Sequence, residues 1–262
     1  MLRKLMKYEF MAMGRVFLPL FGALIVVSLV NGLLGLTALR VPQGISIAIS
    51  VLLMISIFVI VYVLTIQRFW TNVLSNEGYL TMTLPVCTDK IILSKLFTAA
   101  IWSVASTIVI AVAIIILTGV ELDFAVIGDA IRTLFLMAPF STGETLLFMV
   151  QFFVLIIISV FSNILLMYAC MSIGILFNKY RALASFGAFV VITTAMQIIG
   201  AIFTAIGVSG GLFEAIERWT RGAGTFLNAQ LIVLACFVIG LLVCAACYSI
   251  TRYILKNKLN LQ

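Results

Sequence analysis

The chain has no histidine among its 262 residues, and Asp, Glu, Lys and Arg together make up only 10% of it. Without histidine it lacks the commonest general base at neutral pH and the commonest metal ligand. The shortage of charge excludes a soluble enzyme or nucleic-acid binder, because a dissolved domain carries about a quarter of its residues as charges. No G-x-x-x-x-G-K-[ST] loop occurs, so the chain cannot cradle nucleotide phosphates by itself. There is no H-E-x-x-H motif, no G-x-S-x-G elbow and no nucleophile–base pair. The five cysteines are an odd number with no spaced framework, which argues against disulfide stapling. Cys244 and Cys247 form a C-x-x-C, but inside an apolar run, where small residues serve helix packing rather than redox or metal chemistry. Glu121 and Asp123, with no base or metal ligand beside them, read as solvated carboxylates.

What the sequence has instead is apolar length: 64% of its residues are hydrophobic. Six runs carry no charge: Val16–Leu36, Gly44–Ile66, Leu96–Leu117, Leu146–Phe177, Leu183–Gly207 and Leu231–Thr251. About 20 apolar residues as a helix cross about 30 Å of hydrocarbon. Only helices and closed barrels satisfy their own backbone in lipid. Barrel strands alternate polar and apolar positions, and these runs do not. The fold class expected is therefore an all-α membrane protein with six transmembrane helices in one membrane domain over residues 1–262. The first run exceeds the usual length of a signal peptide and has no convincing cleavage site, so it reads as a span. The fourth run is too long for a straight crossing. It tilts, projects past Cys170 or breaks near Gly174.

Six crossings put both termini on one side. With that side cytoplasmic, the inner segments hold twelve of the 16 basic residues, including Arg3, Lys4, Lys7, Arg15, Arg68, Lys90 and Lys95. The outer segments hold only Arg40, Arg132, Arg218 and Arg221. The positive-inside rule settles the orientation, and the net charge of +7 becomes a topology signal rather than a nucleic-acid footprint.

The connections carry further pattern. Residues 1–15 place Leu2, Leu5, Met6, Phe10 and Met13 on one helical face and Arg3, Lys4, Lys7 and Glu9 mostly on the other, as an interfacial helix does. The longest inner connection, Gln67 to Lys95, has room for a short helix over Asn72–Thr83, with Tyr79, Leu80 and Met82 forming an apolar knob in a cytosolic setting. Between the fifth and sixth spans, Leu212, Phe213, Ile216 and Trp219 share a stripe between glycine joints at Gly210–Gly211 and Gly222–Gly224, a short amphipathic or re-entrant segment. The spans hold no ionisable side chain, which weighs against proton-coupled transport. Their uncharged polar groups Asn31, Asn163 and Gln197 are the candidates for a substrate pathway, each competing with a plain helix–helix hydrogen bond.

The run Asn76-Glu77-Gly78-Tyr79-Leu80-Thr81-Met82-Thr83-Leu84-Pro85-Val86, followed by Ile91-Ile92-Leu93-Ser94-Lys95, resembles the cytoplasmic segment between the second and third spans of ABC-2-type transporter permeases of Gram-positive bacteria. The likeness is local, about 20 residues, while the six-span outline covers the chain. It implies the membrane subunit of an ATP-binding-cassette transporter in the bacterial cytoplasmic membrane, moving an amphipathic peptide, lipid or drug, by family habit outward. It implies a separate cytosolic ATPase holding ATP and Mg, and a second permease chain, identical or related. Asn76, Glu77, Gly78, Tyr79, Leu80, Thr81 and Met82 would form the coupling helix that rests on the ATPase, and Gly211–Gly224 the element near the outer gate. The chain itself is expected to carry no catalytic group, no metal and no cofactor. The competing readings are an ion-coupled carrier and a non-transporting immunity or anchor protein.

The charge asymmetry generates a direct test. Alkaline phosphatase fused after Val120 should be active, and fused after Gln262 inactive; the opposite pattern would invert the topology.

Overall fold

The computed structural model describes residues 2–36, 40–74, 88–117, 142–177, 180–209, 211 and 224–257. Among them there are helices and turns and no strand. The helices are α1 (Leu2–Leu36), α2 (Arg40–Phe69), α3 (Thr88–Leu117), α4 (Thr142–Gly174), α5 (Arg181–Ser209) and α6 (Gly224–Asn257). A π-helical turn, Trp70–Leu74, continues α2. All six α-helices are long and apolar enough to cross a membrane, the make-up of a multi-pass membrane protein. Large apolar side chains such as Leu33, Leu52, Phe153 and Phe203 are more than half exposed, an outer surface suited to lipid rather than water.

Each helix outruns the apolar run that nucleates it. Acidic residues Asp89 and Glu144 stand in the first turns of α3 and α4, and basic residues Arg68 and Lys256 in the last turns of α2 and α6. These charges favour the helix dipole and extend the helices beyond the hydrocarbon. Residues 2–15 run without interruption into the first span. Gly224 is the first residue of α6, and Gly222 lies outside the described residues. Pro19 lies inside α1. It leaves the Arg15 carbonyl without its usual donor, a gap that membrane helices tolerate when neighbours compensate.

The helices gather into two compact units, α1–α3 and α4–α6. In the first unit, Met13, Phe17, Phe21 and Leu24 form a stripe on α1 at spacings of three and four. The stripe packs with Ile57 and Val61 of α2 and Trp102 and Ala113 of α3. Trp102 stacks on Phe10 and Phe17 at ring-centroid distances of 4.8 and 5.0 Å. A Cβ at Gly14 would stand 3.2 Å from the Trp102 ring, so glycine there lets the indole lie close against α1. Glu9 meets Lys95, Phe17 meets Trp102 and Gly32 faces Ile116, a near-constant offset that makes α1 and α3 parallel.

In the second unit the same logic makes α4 and α6 parallel. Gln151 bonds Gln230, and Ser162 meets Gly240 and Cys244. Packing is tightest toward the far ends of the two helices, where Ile164, Leu165, Tyr168, Met171, Cys247, Ile254 and Leu255 are buried. The described cysteines, the C-x-x-C pair included, are free thiols, and Cys244 lies 2.9 Å from the Ser162 hydroxyl. The long fourth run resolves as a break: α4 stops at Gly174, and the turn that follows donates from Ile175, Leu176 and Phe177 back to Met171, Ile173 and Gly174. Even so, its 33 residues are about 50 Å long, which exceeds one hydrocarbon thickness.

At Gly174 the backbone of α5 comes close against α4. A side chain there would collide with the Ser185 hydroxyl, and its Cβ would lie 2.7 Å from the Ser185 amide and 2.8 Å from the Arg181 carbonyl. Gly187 has no such neighbour. Gly174→Val should therefore lower the thermal midpoint in detergent by an amount equivalent to about 1–3 kcal/mol, whereas Gly187→Val should not. Equal midpoints would show that the α4–α5 joint is not close-packed.

Candidate functional site

The inner connection expected to carry the coupling helix runs from the end of α2 to the start of α3. Asn76, Glu77, Gly78, Tyr79, Leu80, Thr81 and Met82 lie outside the described residues, and so does most of Gly211–Gly224. The ends of that inner connection are described. Phe69 and Val73 are fully buried where α2 passes into its π-helical turn. Ile91 and Ile92 are buried at the start of α3.

Between these ends sits an ionic clamp that joins three helices. Lys95 Nζ donates to Glu9 Oε1 at 2.6 Å. The same ammonium reaches the Arg68 carbonyl at 3.5 Å, at the end of α2. Arg68 Nη1 stands 3.8 Å from Glu9 Oε2. The Lys95 side chain is only 5% exposed and Glu9 17%, while Arg68 keeps 28%. A buried ammonium in an otherwise apolar bundle requires a counter-charge and hydrogen-bond acceptors, because burial without them costs several kcal/mol. Glu9 supplies the counter-charge and one acceptor, and the carbonyl at the α2 terminus adds a second. The clamp thus ties residues 68 and 95, which bracket the connection, to one carboxylate on α1. The sequence showed Lys95 and Glu9 only as inner-side charges; nothing in the local pattern joins residues 86 positions apart, and only the parallel register of α1 and α3 does so.

The three polar residues singled out in the spans go to different environments. Asn31 is 2% exposed in the first unit, and its Oδ1 has no partner. Ser28 on the same face of α1 and Ser46 on α2 are also buried with unpaired hydroxyls. Asn163 in the second unit is exposed and donates to the Ser159 carbonyl one turn back at 2.9 Å. Gln197 is exposed on α5. Asn163 and Gln197 therefore point away from the packing of their unit, and Asn31 into the packing of its own. Two further polar residues, Gln151 and Gln230, are brought together: Gln151 Nε2 donates to Gln230 Oε1 at 2.7 Å. No group of three His, Cys, Asp or Glu side chains suited to a metal ion occurs among the described residues.

No protein-family model, curated protein or solved structure matches the chain.

The clamp is testable without knowing the activity. Glu9→Gln strands the Lys95 ammonium in its buried place and should destabilise the protein by about 3 kcal/mol or more, read as a fall in thermal midpoint in detergent. Adding Lys95→Met should recover most of the loss, since it removes the ammonium that Glu9→Gln leaves buried and unpaired. Equal losses in the single and double variants would show that the ion pair is not what holds the three helices.

Proposed function

We propose that this chain is the membrane-spanning subunit of an ATP-binding-cassette transporter of the ABC-2 permease type, in the bacterial cytoplasmic membrane with both termini inside. A separate cytosolic ATPase supplies the energy, a second permease chain completes the pathway, and an amphipathic substrate moves outward. The local resemblance over Asn76–Lys95 motivates the reading. The observation that carries it is the clamp at the ends of that same connection.

A coupling element transmits force only if its attachments do not yield. A knob hung on two independently mobile helix ends would turn in place. Here the end of α2 and the start of α3 share Glu9 of α1. Below the clamp lie the Trp102 stack and the α1 stripe. When the ATPase closes on ATP, a knob formed by Gly78, Tyr79, Leu80 and Met82 is displaced, and α1, α2 and α3 tilt together. The knob needs shape and apolar contact and no catalytic group. The N-terminal helix serves as the third leg of the anchor, continuous with the first span. Asn31 stands on the moving helix α1, and Asn163 and Gln197 on exposed faces of α4 and α5, as polar points available to a pathway.

The reading is tested by purifying the chain from its native membrane. An ATPase subunit should co-purify, with its hydrolysis stimulated by substrate. Tyr79→Ala and Gly78→Pro should keep assembly and basal hydrolysis but lose most of the stimulation. Normal stimulated hydrolysis in both variants, or an isolated chain moving solute down an ion gradient, would overturn the proposal.

A further inference from the structure

The second unit is closed at one end and open at the other. Toward the starts of α4 and α6 the two parallel helices leave a groove of about 640 Å³. Val150, Val154, Leu231, Leu234 and Phe237 give it apolar walls, and the Gln151–Gln230 pair stands within them. That volume falls in the range of small-molecule sites, which bury an apolar body and fix it with a few polar groups.

The pair makes one hydrogen bond and leaves two groups over. Gln151 Oε1 and Gln230 Nε2 are buried without partners. Exchanging the oxygen and nitrogen of both amides preserves the bond and leaves the same remainder: one acceptor and one donor. Each unpaired buried group costs about 1–3 kcal/mol, so the site favours whatever satisfies both at once. A hydroxyl does this, because it donates once and accepts as well. A phosphate has only acceptors and an ammonium only donors, and no charged side chain lines the groove to balance either. The terminal torsion of a glutamine is broad, so each amide can turn its own unpaired group toward the groove that both residues line.

We propose that this groove is a binding site for an uncharged lipid-like amphiphile, a diacylglycerol-type molecule whose hydroxyl head bonds the Gln151–Gln230 pair while an acyl chain fills the apolar wall. The inference rests on the second unit alone and does not require the transporter reading. It also separates this lipid from the bulk phospholipid around any membrane protein, which needs no hydrogen-bonding pair.

The test uses the purified full-length chain in nanodiscs, without any ATPase, so its outcome is independent of coupling. A diacylglycerol with a diazirine in one acyl chain is compared with a phosphatidylcholine carrying the same chains, which has no hydroxyl, and crosslinked peptides are mapped by mass spectrometry. The diacylglycerol probe should label peptides covering Val150–Val154 and Leu227–Phe237 saturably. It should do so about tenfold more than the phosphatidylcholine, and be displaced by unlabelled diacylglycerol. Gln151→Met with Gln230→Met, which keeps side-chain length and removes both amides, should lower this labelling about tenfold, the scale of one or two neutral hydrogen bonds. Val154→Trp should block labelling by filling the groove with the glutamine pair intact. Equal labelling by both lipids, failure to saturate or compete, or wild-type labelling in the double variant would each overturn the proposal and leave surrounding lipid as the only occupant.

Discussion

The constraint on which this structure depends is that a polar group inside a bilayer has to find its partner within the protein. Hydroxyls obey it locally. Ser50, Thr65, Thr98, Ser106, Ser172 and Thr251 each donate to the carbonyl four residues back, which hides the hydroxyl without a second helix. Other polar groups reach across to a second helix. Lys95 takes Glu9, Gln151 takes Gln230, and Ser162 takes Cys244 and the Gly240 carbonyl. Those few long-range bonds then fix register. Hydrophobic attraction does little to hold helices together in lipid, since the tails are as apolar as the side chains. Close approach at Gly14 and Gly174 and the cross-helix polar bonds do that work instead.

The position of these bonds matters more than their number. The ionic clamp sits at one end of the first unit, with the aromatic stack of Phe10, Phe17 and Trp102 directly beneath it. An indole between two phenyl rings resists sliding, because offset stacking is directional. The charged end and the aromatic layer together tie α1, α2 and α3 to one another where the connection between α2 and α3 attaches. On the proposed reading this is the mechanical requirement for a permease: the driven segment is held at both ends by one carboxylate, so displacement becomes tilt rather than local unwinding.

The spans were legible in the sequence because composition alone decides them. Runs of more than 20 residues without charge have one stable form in lipid, and all six appear as helices. Helix ends were less legible. The apolar stretch marks the part within hydrocarbon, whereas the helix continues as far as its terminal charges and caps allow, so α1 begins at Leu2 and α6 at Gly224. The choice among tilt, projection and break in the fourth run hinged on Gly174, where the close approach of Ser185 favours glycine. The partners of Lys95 and Gln151 were not legible at all. Each lies on a different helix, and their pairing follows from the parallel arrangement of first and third helices within a unit, which no local window contains.

Ser28, Asn31 and Ser46 break the rule that organises everything else. They are buried, yet Ser28 Oγ, Asn31 Oδ1 and Ser46 Oγ have no partner. Ser28 and Asn31 continue the same α1 stripe that carries Met13, Phe17, Phe21 and Leu24, so the stripe changes from apolar and stacked to polar and unsatisfied along its length. Unpaired buried groups of this kind destabilise by about 1–3 kcal/mol each, and their cost falls on whichever arrangement of α1 and α2 keeps them dry. The first unit is therefore firm at the Glu9 end and energetically loose at the Asn31 end. A rigid bundle satisfied along its whole length would have nothing to gain by moving. Water or a polar group reaching this end would find partners in Ser28, Asn31 and Ser46. On the proposed reading, the contrast between the two ends of one helix pair is the asymmetry that a driven lever needs.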